Sequence, residues 1–200
     1  GNYYFHQGNY QEAAGIYQKV LAIEPTNQHV YNNFGTILFN LGRIDEAGDA
    51  YRRAISIDAT NAEFHLNYGY VLYSQRRLEE AIGEYREAIR INPAYTDAYY
   101  NMGLALYDYE HVDEAIAAYQ KAASLDPSHT RANYNLGIIY YRQERFEEAI
   151  EEFLRVLTWQ PDHVNAHTHL AVCYQKIGME AEAKMHAEMA NRLQGVSPRQ

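Results

Sequence analysis

The sequence predicts an all-α protein of antiparallel helix pairs stacked side by side, an α-solenoid. Three observations carry this reading. Four of the five prolines, Pro25, Pro93, Pro127 and Pro161, are spaced by 68, 34 and 34 residues, with Ala59 at the skipped place, so the chain has a period of 34. Self-similarity at such a period marks a repeat architecture. Both halves of each period carry apolar residues at helical spacing. Small residues recur at fixed points of the period, where two helices must approach closely.

With position 1 set at Gln28, Ala62, Thr96, Thr130 and Val164, the copies align without a gap. Position 8 is Gly35, Gly69, Gly103 and Gly137, then Ala171. Position 20 is Ala13, Ala47, Ala81, Ala115, Ala149 and Ala183. Position 24 is Tyr17, Tyr51, Tyr85, Tyr119 and Phe153, then Ala187. Position 27 is Val20, Ala54, Ala88, Ala122, Val156 and Ala190.

Residues 1–27 read as a partial first repeat with a truncated first helix. Residues 28–61, 62–95, 96–129 and 130–163 are full repeats. Residues 164–194 form a terminal capping repeat and 195–200 a tail, all in one continuous domain. Within each period the first helix is expected at positions 1–14 and the second at 15–30. "SQRRLEE", "DYEHVDE" and "RQERFEE" bridge them. Glycine at 8 and alanine at 20 let the helices cross closely, and the ring at 24 is expected to fill the gap toward the next pair. Proline at 32 stops the second helix, because the residue before proline is pushed out of the helical region. One pair cannot bury its apolar face alone, so pairs must stack.

These features resemble the tetratricopeptide repeat (TPR) family over essentially the whole chain. Repeat length, small residues at 8, 20 and 27, the aromatic at 24 and proline at 32 all match. The family's frequent tryptophan at position 4 is replaced by Tyr31, His65, Tyr99, Asn133 and His167. The resemblance implies a right-handed superhelix whose first helices line a concave inner groove.

Composition narrows the function. The net charge of -9 argues against a general nucleic-acid binder, which needs basic surface. No run of eighteen apolar residues exists, so no membrane-spanning helix is expected. The opening "GNYYFHQGNYQ" lacks a basic segment followed by an apolar one and does not read as a signal peptide. The single cysteine, Cys173, leaves the compartment open. There is no glycine-rich phosphate loop, no G-x-S-x-G and no H-E-x-x-H, so the chain reads as a non-enzyme without cofactor. In "DHVNAHTHLAVC", His163 and His167 are four apart, as are His169 and Cys173, a spacing that can place metal ligands on one helical face. Turn and packing positions explain these residues without a metal.

The informative residues lie on the first helices. At about 100° per residue, positions 4, 7, 8 and 11 share a packing arc, while 2, 5, 6, 9, 12 and 13 share the opposite arc. Position 6 holds Asn33, Asn67, Asn101 and Asn135, then His169. Around this row stand Phe39, Leu66, Tyr70, Tyr73, Tyr100, Tyr107, Tyr134 and Tyr141. A carboxamide offers a donor and an acceptor, so it can pair with a peptide unit without reading sequence. Rings beside it give contact area at low entropic cost. The row resembles the asparagine ladder of the O-linked N-acetylglucosamine transferase superhelix. An inter-helix bond is the competing reading of the same asparagines.

Charge on this arc is uneven. Glu63, Asp97 and Asp108 are acidic, and Arg131, Arg142 and Lys176 follow toward the C-terminus. A ligand basic over the middle repeats and acidic over the last ones is expected. The family's chaperone-tail members use lysine at position 5, which here is Asn32, Leu66, Tyr100, Tyr134 and Thr168. That role is therefore not expected.

The leading expectation is a non-catalytic scaffold or adaptor holding an extended segment of a partner protein. Two alternatives stay open: a substrate-recruiting arm of a larger enzyme such as a glycosyltransferase, and a self-assembling solenoid. In the second, Tyr3, Tyr4 and Tyr10 at an open N-terminal end would drive homo-oligomers. At the other end, Glu180, Lys184 and Asn191 replace apolar residues, as suits a solvent-facing last helix.

Overall fold

The computed structural model describes residues 9–195. Among them are eleven α-helices and no strands: α1 (Tyr10–Ile23), α2 (Gln28–Asn40), α3 (Ile44–Ile57), α4 (Ala62–Ser74), α5 (Leu78–Ile91), α6 (Thr96–Asp108), α7 (Val112–Leu125), α8 (Thr130–Arg142), α9 (Phe146–Trp159), α10 (Val164–Lys176) and α11 (Glu180–Leu193). The chain forms two compact units, residues 1–115 and 116–200, with the boundary inside α7. In unit 1, α2 pairs with α3 and α4 with α5, and neighbouring pairs pack on one another. In unit 2, α8 pairs with α9 and α10 with α11 in the same way. Both units are stacked helix pairs, the solenoid architecture expected from the repeat. Tyr3 and Tyr4 lie outside the described residues. Tyr10 packs against the cluster of Ala13, Ala14, Tyr17 and Ile37.

The helices occupy positions 1–13 and 17–30 of each period, not 1–14 and 15–30. The cause is position 15. It takes a left-handed backbone in Gly42 (φ 75°), Arg76 (61°), Glu110 (65°), Glu144 (61°) and Gly178 (79°). Each ends a first helix with a six-to-one bond, such as Arg43 N–H to Leu38 C=O at 2.9 Å and Arg145 N–H to Tyr140 C=O at 2.9 Å. This is the Schellman closure that satisfies the last carbonyls of a helix.

The ring at position 24 lies over the glycine at position 8 of its own repeat. A Cβ on Gly35 would stand 2.8 Å from Tyr51 Cε1, one on Gly69 2.5 Å from Tyr85 Cε1, and one on Gly137 2.6 Å from Phe153 Cε1. The ring therefore fills the crossing inside a pair as well as the space beyond it: Tyr51 also shares a core with Val71 of the next repeat. At the start of first helices, Asn27 Oδ1 accepts from Val30 N and Asn61 Oδ1 from Glu63 N, while the imidazole Nδ1 atoms of His129 and His163 accept from Ala132 N and Ala166 N. These caps satisfy otherwise orphaned N–H groups.

Candidate functional site

The arc of first-helix residues singled out by the repeat carries a network of bonds between successive repeats. In unit 1, Asn67 Nδ2 donates to Asn32 Oδ1 at 2.9 Å, and Asn32 Nδ2 donates to Glu63 Oε1 at 3.3 Å. Asn101 Nδ2 donates to the Tyr70 hydroxyl at 2.9 Å and to the Asp97 carbonyl one turn back at 2.5 Å. The Tyr73 hydroxyl donates to Asp108 Oδ2 at 2.9 Å, and Arg76 Nη1 reaches the same oxygen at 2.6 Å. Burial first, then the Asp108 carboxylate, pushes the Tyr73 phenol up to about 12. In unit 2, Asn135 Nδ2 donates to the Tyr119 hydroxyl at 3.3 Å.

The row of amides is thus partly spent within the fold. Asn67, Asn101 and Asn135 each use an N–H on a neighbouring side chain, and their carbonyl oxygens take part in none of these bonds. Asn33 is exposed. In unit 1 the partners are positions 5 and 9 of the preceding first helix, Asn32 and Tyr70, whereas in unit 2 the partner is the position-24 phenol of Tyr119.

The contact residues divide. Phe39, Tyr70, Tyr73, Tyr107, Tyr134 and Tyr141 are half-buried and keep reachable ring surface. Leu66 and Tyr100, expected on the open arc, are 4% and 9% exposed and belong to the core. Both stand at position 5, where Asn32 is buried too, while Tyr134 and Thr168 at the same position keep exposed surface. Glu63, Asp97, Arg131, Arg142 and Lys176 are exposed, while Asp108 shares its charge with Arg76.

In unit 2, His169 takes the place of the asparagine. Its ring stacks on Phe153 at 5.2 Å and meets the edges of Tyr134 and Tyr141 at 5.7 and 5.8 Å. Its Nδ1–H donates to the Asn165 carbonyl at 2.7 Å. The other candidate metal ligands are similarly occupied. His163 Nδ1 caps α10, and His167 is buried between His186 Nδ1 at 2.8 Å and the Pro161 carbonyl at 3.0 Å. Cys173 is buried, which raises its thiol to about 11. Among the described residues no three His, Cys, Asp or Glu side chains form a metal-binding group, and no helix is long and apolar enough to cross a membrane.

Sequence reasoning missed a second set of polar residues. Position 4 faces position 23 of the same repeat. His65 Nδ1 lies 2.7 Å from Glu84 Oε2, and His167 Nδ1 lies 2.8 Å from His186 Nδ1. The bond to Glu84 raises the His65 pKa, while burial and the neighbouring His167 lower that of His186. A signal existed in the sequence. Where position 4 is Tyr31 or Tyr99, position 23 is Ala50 or Ala118; where position 4 is His65, Asn133 or His167, position 23 is Glu84, Glu152 or His186.

Models of the tetratricopeptide repeat match residues 4–66, 50–83 and 100–163, and a TPR repeat model matches residues 69–109. This chain belongs to the tetratricopeptide repeat family. Comparison with curated proteins gives no match. Solved TPR structures share the fold. MamA is 27% identical with a TM-score of 0.76, over 82% of this TPR chain and 96% of its own. YrrB, described as a TPR protein with an unusual peptide-binding site, is 22% identical with a TM-score of 0.74, over 91% and 94%. PilF of Pseudomonas aeruginosa is 20% identical with a TM-score of 0.83, over 97% and 88%.

Proposed function

We propose that this TPR chain is a non-catalytic protein-interaction scaffold that holds an extended segment of a partner protein on the open face of its first helices. The family and fold support a scaffold. The observation that carries the finer reading is the order of that face. Bonds from repeat to repeat, Asn67 to Asn32, Asn101 to Tyr70 and Tyr73 to Asp108, fix its amides and phenols in place while the rings of Tyr70, Tyr73 and Tyr107 stay half-exposed. A preorganised polar and aromatic surface binds at reduced entropic cost. The carbonyl oxygens of the half-buried Asn67 and Asn135 are the acceptors a ligand backbone N–H would use. The peptide-binding site named for YrrB agrees with this reading. Glu63 and Asp97 favour a basic stretch of ligand on unit 1, and Arg131, Arg142 and Lys176 an acidic one on unit 2.

The test is the double variant Asn67→Ala with Asn135→Ala, titrated calorimetrically with a peptide selected on the full chain. An affinity loss of tenfold or more with unchanged helical circular dichroism is expected. Unchanged affinity in a folded variant contradicts the proposal.

A further inference from the structure

Away from the face just described, unit 2 contains a cavity of about 560 Å³ between α7, α8 and α9. Its lining includes positions 4 and 23 of the fourth full repeat, Asn133 and Glu152, which are 2% and 6% exposed. In the repeats of His65 and of His167 the same two positions bond to each other directly. Here they do not. Asn133 Oδ1 and Glu152 Oε2 are buried acceptors, and no group of the protein donates to either. Glu152 Oε1 is engaged by Arg155 Nη1 at 2.7 Å from an exposed guanidinium. Buried polar atoms are nearly always satisfied, so an orphaned pair facing one cavity calls for a donor.

We propose that this cavity is a binding site for a primary alkylammonium group, in the form of a lysine side chain of a partner protein. Three features select that chemistry. Two orphan oxygens belong to residues lining one cavity, and an ammonium offers three donors and no acceptor. The lining carries Glu148, Glu151 and Glu152 against Arg155, so the local charge is negative. Burial raises the Glu152 pKa despite Arg155, and a buried carboxylate in that condition gains most from a cation brought to it. The apolar walls at Leu136 and Ala123 and the exposed Trp159 at the rim suit the methylene stem that lysine carries. A guanidinium fits less well, because its planar fork needs acceptors in one plane.

The site is tested on the full chain by two-dimensional NMR, with N-acetyl-lysine methylamide as probe and the norleucine analogue as uncharged control. The expected result is a saturable shift of the Asn133 side-chain amide and the Trp159 indole with the lysine probe, absent with norleucine. Glu152→Gln should weaken that binding at least tenfold. Should Glu152→Gln fail to fold, Thr158→Tyr narrows the mouth from an exposed position and should weaken it likewise. Equal responses to both probes, no saturable response, or retention of full affinity in the folded variants overturns the proposal. An Asn133 amide turned to donate to Glu152 would give the second of these results.

Discussion

Gly69 and Gly83 lie on the two helices of one pair, and the same substitution should have opposite effects at them. An alanine Cβ at Gly69 would stand 2.5 Å from Tyr85 Cε1, 2.8 Å from Cδ1 and 3.0 Å from Cζ. Tyr85 is 1% exposed, so its ring has no solvent side to move into. Overpacking of this kind costs about 1–3 kcal/mol, and alanine recovers about 1 kcal/mol of helix propensity. The contact is at the severe end, so Gly69→Ala should lose about 1–2 kcal/mol, lowering Tm by about 2–8 °C. At Gly83 an added Cβ meets nothing within 4 Å. Gly83→Ala should therefore raise stability by up to about 1 kcal/mol. Urea melts followed by circular dichroism measure both. A Tyr85→Leu background removes the atoms that clash, and Gly69→Ala should then cost little, which a double-mutant cycle reads directly. A neutral or stabilising Gly69→Ala in the wild-type background would refute the close-crossing account of position 8.

Glu110→Gly and Glu144→Gly should each stabilise. A left-handed L-residue costs about 1–2 kcal/mol and glycine's extra chain freedom about 0.5–1, leaving a net gain of up to about 1.5 kcal/mol, read as a higher urea midpoint. The two histidine contacts, His65 with Glu84 and His186 with His167, should respond oppositely to pH. The raised pKa of His65 makes its contribution fully present below its unfolded value of about 6.5 and lost as pH rises through the folded value, so destabilisation by Glu84→Gln should shrink at higher pH. The lowered pKa of His186 gives the reverse: its contribution is present above about 6.5 and lost as pH falls through the folded value, and His186→Phe should weaken that acid sensitivity. Histidine NMR titrations check both directions. Tyr73→Phe should free Asp108 from its phenol partner and lose roughly 0.5–1.5 kcal/mol, measured by the same melts.

Most of the fold could be read from the chain because stacking fixes the same residue at the same place in every repeat. Gly35, Ala47 and Tyr51 carry that information whatever surrounds them. The left-handed turn at position 15 was less legible, since Arg76, Glu110 and Glu144 occupy a conformation that glycine would have advertised. The open arc is legible as a stripe on a helical wheel, but the burial of its members is not. Leu66, Tyr100 and Asn101 are buried in the stack, and no single-helix wheel contains the neighbours that bury them. Asn133 reads in the sequence only as a tryptophan replacement, and the fold alone sets it with Glu152 against one cavity.

The central claim is that first-helix amides hold a ligand backbone. If first helices in a unit lie about 10 Å apart, and an extended chain rises about 3.3 Å per residue, one amide should meet roughly every third peptide unit. Singly N-methylating each residue of a bound peptide and titrating the series on the full chain tests this directly. The account predicts affinity losses of tenfold or more recurring at about three-residue intervals. Uniform tolerance of N-methylation, with binding sensitive to side chains alone, would contradict it.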